Sequence, residues 1–91
     1  MPELRIDLDR ETAVGKYANF ALFSHQKNEF YIDFALLQPN AAANQMVAVI
    51  SSRIITSPSH AKALLRSLAE NIQRYEETYG VIPEEVPGNQ A

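Results

Sequence analysis

Residues 57–80 read SPSHAKALLRSLAENIQRYEETYG, a helix with both of its ends marked. Ser57 is placed to accept an orphan amide of the first turn as N-cap. Pro58 follows at the first helical position, where its missing N–H does no harm. Ala61, Leu64, Leu65, Leu68, Ile72, Tyr75 and Tyr79 then recur at spacings of three and four and form one apolar stripe. Lys62, Arg66, Glu70, Gln73, Arg74 and Glu77 fill the opposite side, with Arg66–Glu70 and Glu70–Arg74 spaced for pairing one turn apart. Gly80 supplies the terminating position, and Pro83 lies just beyond it. A stripe of this kind needs an apolar surface to cover it. Leu65 and Leu68 are therefore predicted to be core residues.

Working back toward the N-terminus, that surface is a sheet. Gln45–Thr56 (QMVAVISSRIIT) carries β-branched mass in Val47, Val49, Ile50, Ile54 and Ile55. Pro39–Asn44 (PNAAAN) is a loop. Glu29–Leu37 (EFYIDFALL) and Lys16–Ser24 (KYANFALFS) are strands joined through the polar turn His25-Gln26-Lys27-Asn28, and together they make a β-hairpin. Glu11–Gly15 is a connector. Glu3–Asp9 alternates strictly, Leu4, Ile6 and Leu8 against Glu3, Arg5, Asp7 and Asp9, which is the pattern of a half-exposed edge strand. The fold class is thus α+β: an antiparallel sheet of three to four strands, in the order β-β-β-β-α, with the long C-terminal amphipathic helix packed on one face. Residues 1–80 form a single domain, and residues 81–91, with two prolines and one glycine, form a flexible tail.

Pairing the hairpin about its turn puts Tyr17, Asn19, Ala21, Phe23, Phe30, Ile32, Phe34 and Leu36 on one face, and Ile50 and Ile54 can join them from an antiparallel third strand. This is the face expected under the helix. The other face carries Ala18, Phe20, Leu22, Tyr31, Ala35, Leu37, Val49 and Ile55, with Asp33, Ser51 and Arg53 among them. It is too apolar for open solvent, and the one helix is already used. An uncovered patch of this kind marks a protein–protein surface, and two-fold pairing covers it on both copies at once. Phe20, Leu22, Tyr31 and Leu37 are therefore the candidate interface residues. Asp33 and Arg53 are expected at or beside them, paired across neighbouring strands or across the interface, because buried charges need partners.

Other chemistry finds little support. The chain of 91 residues has no cysteine, which excludes disulfides and thiolate metal sites. Its two histidines, His25 and His60, lack a second ligand at metal spacing. Ser51, Ser52, Ser57 and Ser59 sit in no nucleophile elbow, and the glycines at 15, 80 and 88 cannot build a phosphate cradle. The aromatic residues of the strands lack the interleaved bases of a nucleic-acid platform, and the net charge is −3. Lys62, Arg66 and Arg74 line one side of the helix, but Glu70 and Glu77 interrupt them. The expectation is a protein that is not an enzyme, needs no cofactor or metal, and does not have nucleic acid as its main partner. An N-terminus charged from its third residue and the lack of a long apolar run predict a cytoplasmic protein without a membrane span.

Tyr17–Phe20 (YANF), Asn28–Phe34 (NEFYIDF) and Ser52–Gly80 resemble the domain-of-unknown-function family numbered 3467, a group of small bacterial and archaeal proteins. The most distinctive part runs from Ser52 through Tyr75, with Arg53, Ser57-Pro58, His60-Ala61 and Glu70-Asn71-Ile72. The similarity extends from about Gly15 to Gly80. It implies a non-secreted protein and brings no established activity, cofactor or site residue with it. In topology alone, four antiparallel strands followed by a long helix also look like the export chaperones of the SecB type, whose subunits assemble through their sheets and hold unfolded chains. No sequence motif supports that analogy. The function expected from the residues is a homodimeric protein-binding or assembly module. A holdase chaperone and a nucleic-acid-associated protein are the alternatives.

Overall fold

The computed structural model describes residues 2–84. They form a short helix α1 (Arg10–Val14), strands β1 (Phe20–His25), β2 (Phe30–Asn40) and β3 (Gln45–Thr56), and a long helix α2 (Pro58–Tyr79). The strands make an antiparallel meander in the order β1-β2-β3. Phe23 stands opposite Ile32 and Ala21 opposite Phe34, because the turn is Gln26–Glu29 and not His25–Asn28; the pairing moves by two residues and the expected faces are kept. The turn is closed by the Gln26 amide, which donates to the Glu29 carbonyl at 2.9 Å.

The link between β2 and β3 is tighter than the loop expected at 39–44. The strand runs on through Pro39, which pairs with Met46, and only Ala41–Asn44 turn. A proline is tolerated there because β1 pairs with β2 only as far as Ala35, leaving one side of β2 without a strand neighbour. Asn19 partly replaces that neighbour. Its Oδ1 accepts from the Leu37 amide at 2.7 Å, and its Nδ2 donates to the Leu37 carbonyl at 3.4 Å. The turn ends on Asn44 at φ 51°, a left-handed conformation that asparagine adopts more readily than other residues with side chains.

Three expectations change. First, β3 carries a bulge. Ser52 faces Phe34 and Ile50 faces Ala35, so Ser51 is left over. Every side chain ahead of Ser51 switches sides: Ile50 joins the face of Ala35 and Leu37, and Val49 joins that of Leu36. Second, the fourth strand is not formed. Residues 2–8 take part in no backbone hydrogen bond among the described residues, and Leu4, Ile6 and Leu8 are exposed. Asp9 instead caps α1, accepting from the Thr12 amide, and the hydrogen bonds from Thr12 hold its carboxyl below the usual range. The Gly15–Asn19 link then carries the chain past Phe34 and Ile54 before β1 begins, so the segment ahead of α1 is not delivered to a sheet edge.

The third correction is the largest: α2 does not pack on the sheet. It buries none of its residues, and Leu65 is 69% exposed and Leu68 56% exposed. The reason lies in the connection. Thr56 ends β3 and Pro58 begins α2, so Ser57 is the whole link. A residue before proline is confined to extended backbone, and Ser57 has φ −76° and ψ 156°. Folding a helix back onto its own sheet ordinarily takes about 2–6 linking residues, which are not available here. The helix therefore projects from the end of β3, and the radius of gyration is 16.4 Å against about 12 Å for a compact chain of this length.

The ends of α2 are as read. The Ser57 hydroxyl accepts from the His60 amide at 3.2 Å, and the Gly80 amide reaches the Glu76 carbonyl at 2.9 Å with φ 104°. Of the tail expected at 81–91, residues 85–91 lie outside the described residues; Ile82 donates its amide to Glu76 Oε2 at 2.8 Å. No helix among the described residues is long and apolar enough to cross a membrane.

Candidate functional site

Asp33 and Arg53 meet. They stand directly opposite each other on β2 and β3, where the antiparallel register brings side chains of one face together. Arg53 Nε donates to Asp33 Oδ1 at 2.7 Å and Nη2 to Oδ2 at 3.0 Å, a bidentate fork. Asp33 is only 5% exposed. The Arg53 hydrogen bond holds its carboxyl below the usual carboxylate range against the opposing effect of burial, and the pairing raises the Arg53 guanidinium in return. The guanidinium carbon also lies 5.7 Å from the centre of the Tyr31 ring, within cation–π reach. The carboxylate is thus sealed in the sheet while the Arg53 side chain stays 57% exposed.

Around this pair the candidate interface residues share one face. Leu22 faces Asp33 from β1, Phe20 faces Ala35, and Tyr31 and Leu37 flank them on β2. All four are half-buried. The bulge at Ser51 adds Ile50 to this face and Ile55 completes it on β3, both about half exposed. No described element lies across it: the only element pairs in substantial contact are β1 with β2 and β2 with β3.

The opposite face is not sealed either. Ile32 is buried there, but Phe23, Phe34, Leu36, Val49 and Ile54 remain between about a third and a half exposed. A cavity of about 550 Å³ lies between this face and the segment around α1, lined by Glu11, Thr12, Lys16, Phe34, Ser52 and Ile54 among others. Lys16 crosses it, its Nζ donating to the Ser51 carbonyl at 3.1 Å. Its open form and sparse polar groups suit side-chain packing better than recognition of a small ligand.

The remaining candidates stay apart. His25 is the last residue of β1 rather than a turn residue, and its ring stacks on Phe30 with centres 5.4 Å apart. His60 sits in the first turn of α2, far along the chain from any second ligand, and no three His, Asp or Glu side chains gather among the described residues. Ser57 and Ser59 face each other at 3.3 Å, and Ser51 bonds the Phe34 carbonyl at 3.4 Å. Two features escaped the sequence reading. The polar pair Ser51-Ser52 in a β-branched strand was the signal for the bulge. The absence of any linker between Thr56 and Pro58 was the signal for the projecting helix.

A three-stranded antiparallel meander with a part-buried, bidentate ion pair on one face and a helix leaving its end defines a small α+β protein. The model of the family described as "Protein of unknown function (DUF3467)" matches residues 1–84, and the chain belongs to that family. No curated protein matches the chain. No solved structure matches it.

Proposed function

We propose that this protein is a non-enzymatic homodimeric module, built to bind or assemble with other protein, whose contact uses the sheet face of Phe20, Leu22, Tyr31 and Leu37. What carries the reading is how little one chain buries by itself. Ile32, Asp33 and Ala35 are the buried residues, and none of the described side chains is both large and fully enclosed. The surface amounts to 8378 Å², against about 5,300 Å² for a compact monomer of 10.2 kDa. Even if the eight residues outside 2–84 are allotted a fully unfolded surface of about 1,200 Å², roughly 2,000 Å² remains in excess. A standard interface removes only about 800 Å² per partner, but obligate homodimer interfaces remove about 1,000–2,500 Å² from each, so a second copy paired in that way can account for it.

The ion pair gives that face a fixed polar landmark. A half-exposed guanidinium amid aromatic and aliphatic side chains resembles the arginine-containing centre of many protein interfaces. Two-fold pairing suits a chain that carries the same patch on both copies. Sedimentation at micromolar concentration is the test: the wild type is expected to run as a dimer, and Leu22→Glu to move it toward monomer. A wild type that is monomeric and cooperatively folded would overturn the reading.

A further inference from the structure

Resting on the dimeric reading above, we infer that α2 is a coiled-coil strand whose partner is α2 of a second copy, docked antiparallel. Within the stripe, which Leu64 flanks on one side, runs a seam more regular than a helix needs for a flat sheet. Ala61, Leu65, Leu68, Ile72, Tyr75 and Tyr79 alternate strictly at intervals of four and three, which is the 3.5-residue period of a coiled-coil seam. Apart from Ala61, which is half-buried, the seam lies on the outside of the chain, from Ile72 at 42% exposed to Tyr79 at 74%. The one-residue link at Ser57 keeps it off its own sheet.

Orientation follows from size and charge. Antiparallel docking about a two-fold axis near Glu70 puts Ala61 opposite Tyr79, Leu65 opposite Tyr75 and Leu68 opposite Ile72, so that small faces large at both ends. Parallel docking would instead stack Ala61 on Ala61 and Tyr79 on Tyr79, leaving a gap at one end and crowding at the other. The flanks agree. In the antiparallel register Lys62 of each copy lies beside Glu76 of the other, twice by symmetry, whereas the parallel register brings no opposite charges together there. Lys62 has no ion-pair partner among the described residues, and Glu76 keeps Oε1 free while Oε2 holds the Ile82 amide.

The chain has no cysteine of its own, so single cysteines report the geometry cleanly. With a bismaleimide of about 8 Å reach, Ala69→Cys is expected to cross-link between copies. Ala61→Cys is not, since antiparallel docking sets those two positions about 27 Å apart along the axis. In low salt Lys62→Glu is expected to weaken association about tenfold, Lys62→Glu/Glu76→Lys to recover most of the loss, and the effect to shrink at 0.5 M salt. Glu76→Gln, which still accepts from the Ile82 amide, separates loss of charge from loss of that contact. Cross-linking at Ala61→Cys but not Ala69→Cys would overturn the orientation. A wild-type dimer indifferent to both charge changes and linked at neither site would overturn helix pairing and leave the sheet-face dimer standing. A folded wild-type monomer would remove both.

Discussion

Asp33 is the residue at which burial and charge come into conflict, and Arg53 resolves the conflict from the neighbouring strand. The two oxygens of the carboxylate are both occupied by the guanidinium, so the group can be enclosed without leaving an acceptor unmatched. Because its folded-state pKa lies below the ordinary carboxylate value, its contribution to stability is complete above about pH 4. That contribution disappears as pH falls through the folded-state pKa. Asp33→Asn should therefore be less stable than wild type at neutral pH, and the difference should narrow as pH falls below about 4. Urea midpoints of both proteins across that range decide it, and a gap that stays constant would mean the ion pair does not link folding to protonation. Arg53 was visible in the sequence as a charge stranded among isoleucines. Its partner was visible too, but only the strand register made them neighbours.

At the scale of elements, the strongest local instructions are the two ends of α2 and the turn at Asn44. Ser57→Ala removes the acceptor of the His60 amide and should lower stability by roughly 1 kcal/mol, read from the shift in urea midpoint. An unchanged midpoint would show that the helix does not depend on that cap. Asn44 tests the β2–β3 turn in the same way. With φ 51°, it should accept glycine within about 0.5 kcal/mol, while Asn44→Val should cost about 1–2 kcal/mol because a β-branched side chain is strained there. Equal stability of the two variants would mean that the turn relaxes to another geometry. The bulge at Ser51 is the element-level feature with the widest reach, since it decides which of Val49 and Ile50 belongs to the candidate interface.

At the scale of the whole molecule, the chain resembles part of a protein core rather than a finished one. Its sheet has two apolar faces, its helix has a third apolar surface, and within one chain none of them covers another. A domain of this length has a thin margin even when compact. If the missing burial comes from a second copy, folding and association are one equilibrium, and each tenfold rise in protein concentration should add about 1.4 kcal/mol to the apparent stability. Thermal or urea midpoints measured over a hundredfold concentration range check this. Midpoints independent of concentration would assign the stability to the single chain.

The sequence by itself determined the three strands and the long helix: β3 lies where the β-branched run predicted it, and α2 begins after Ser57 and ends before Gly80, whereas α1 falls on the expected connector and the strand expected at Glu3–Asp9 is not formed. These signals are local, because caps, proline geometry and side-chain periodicity act within a few residues of one another. The sequence also determined which side chains of the hairpin share a face, although closing the turn at Gln26–Glu29 instead of His25–Asn28 moved the pairing itself by two residues. Only the tertiary structure decided the pairing of Asp33 with Arg53, the exchange of Val49 and Ile50 across the bulge, and the separation of α2 from the sheet. Each depends on how distant segments are aligned or aimed. An apolar stripe specifies that something must cover it, but not whether the cover comes from the same chain; the backbone path through Ser57 directs α2 away from its own sheet.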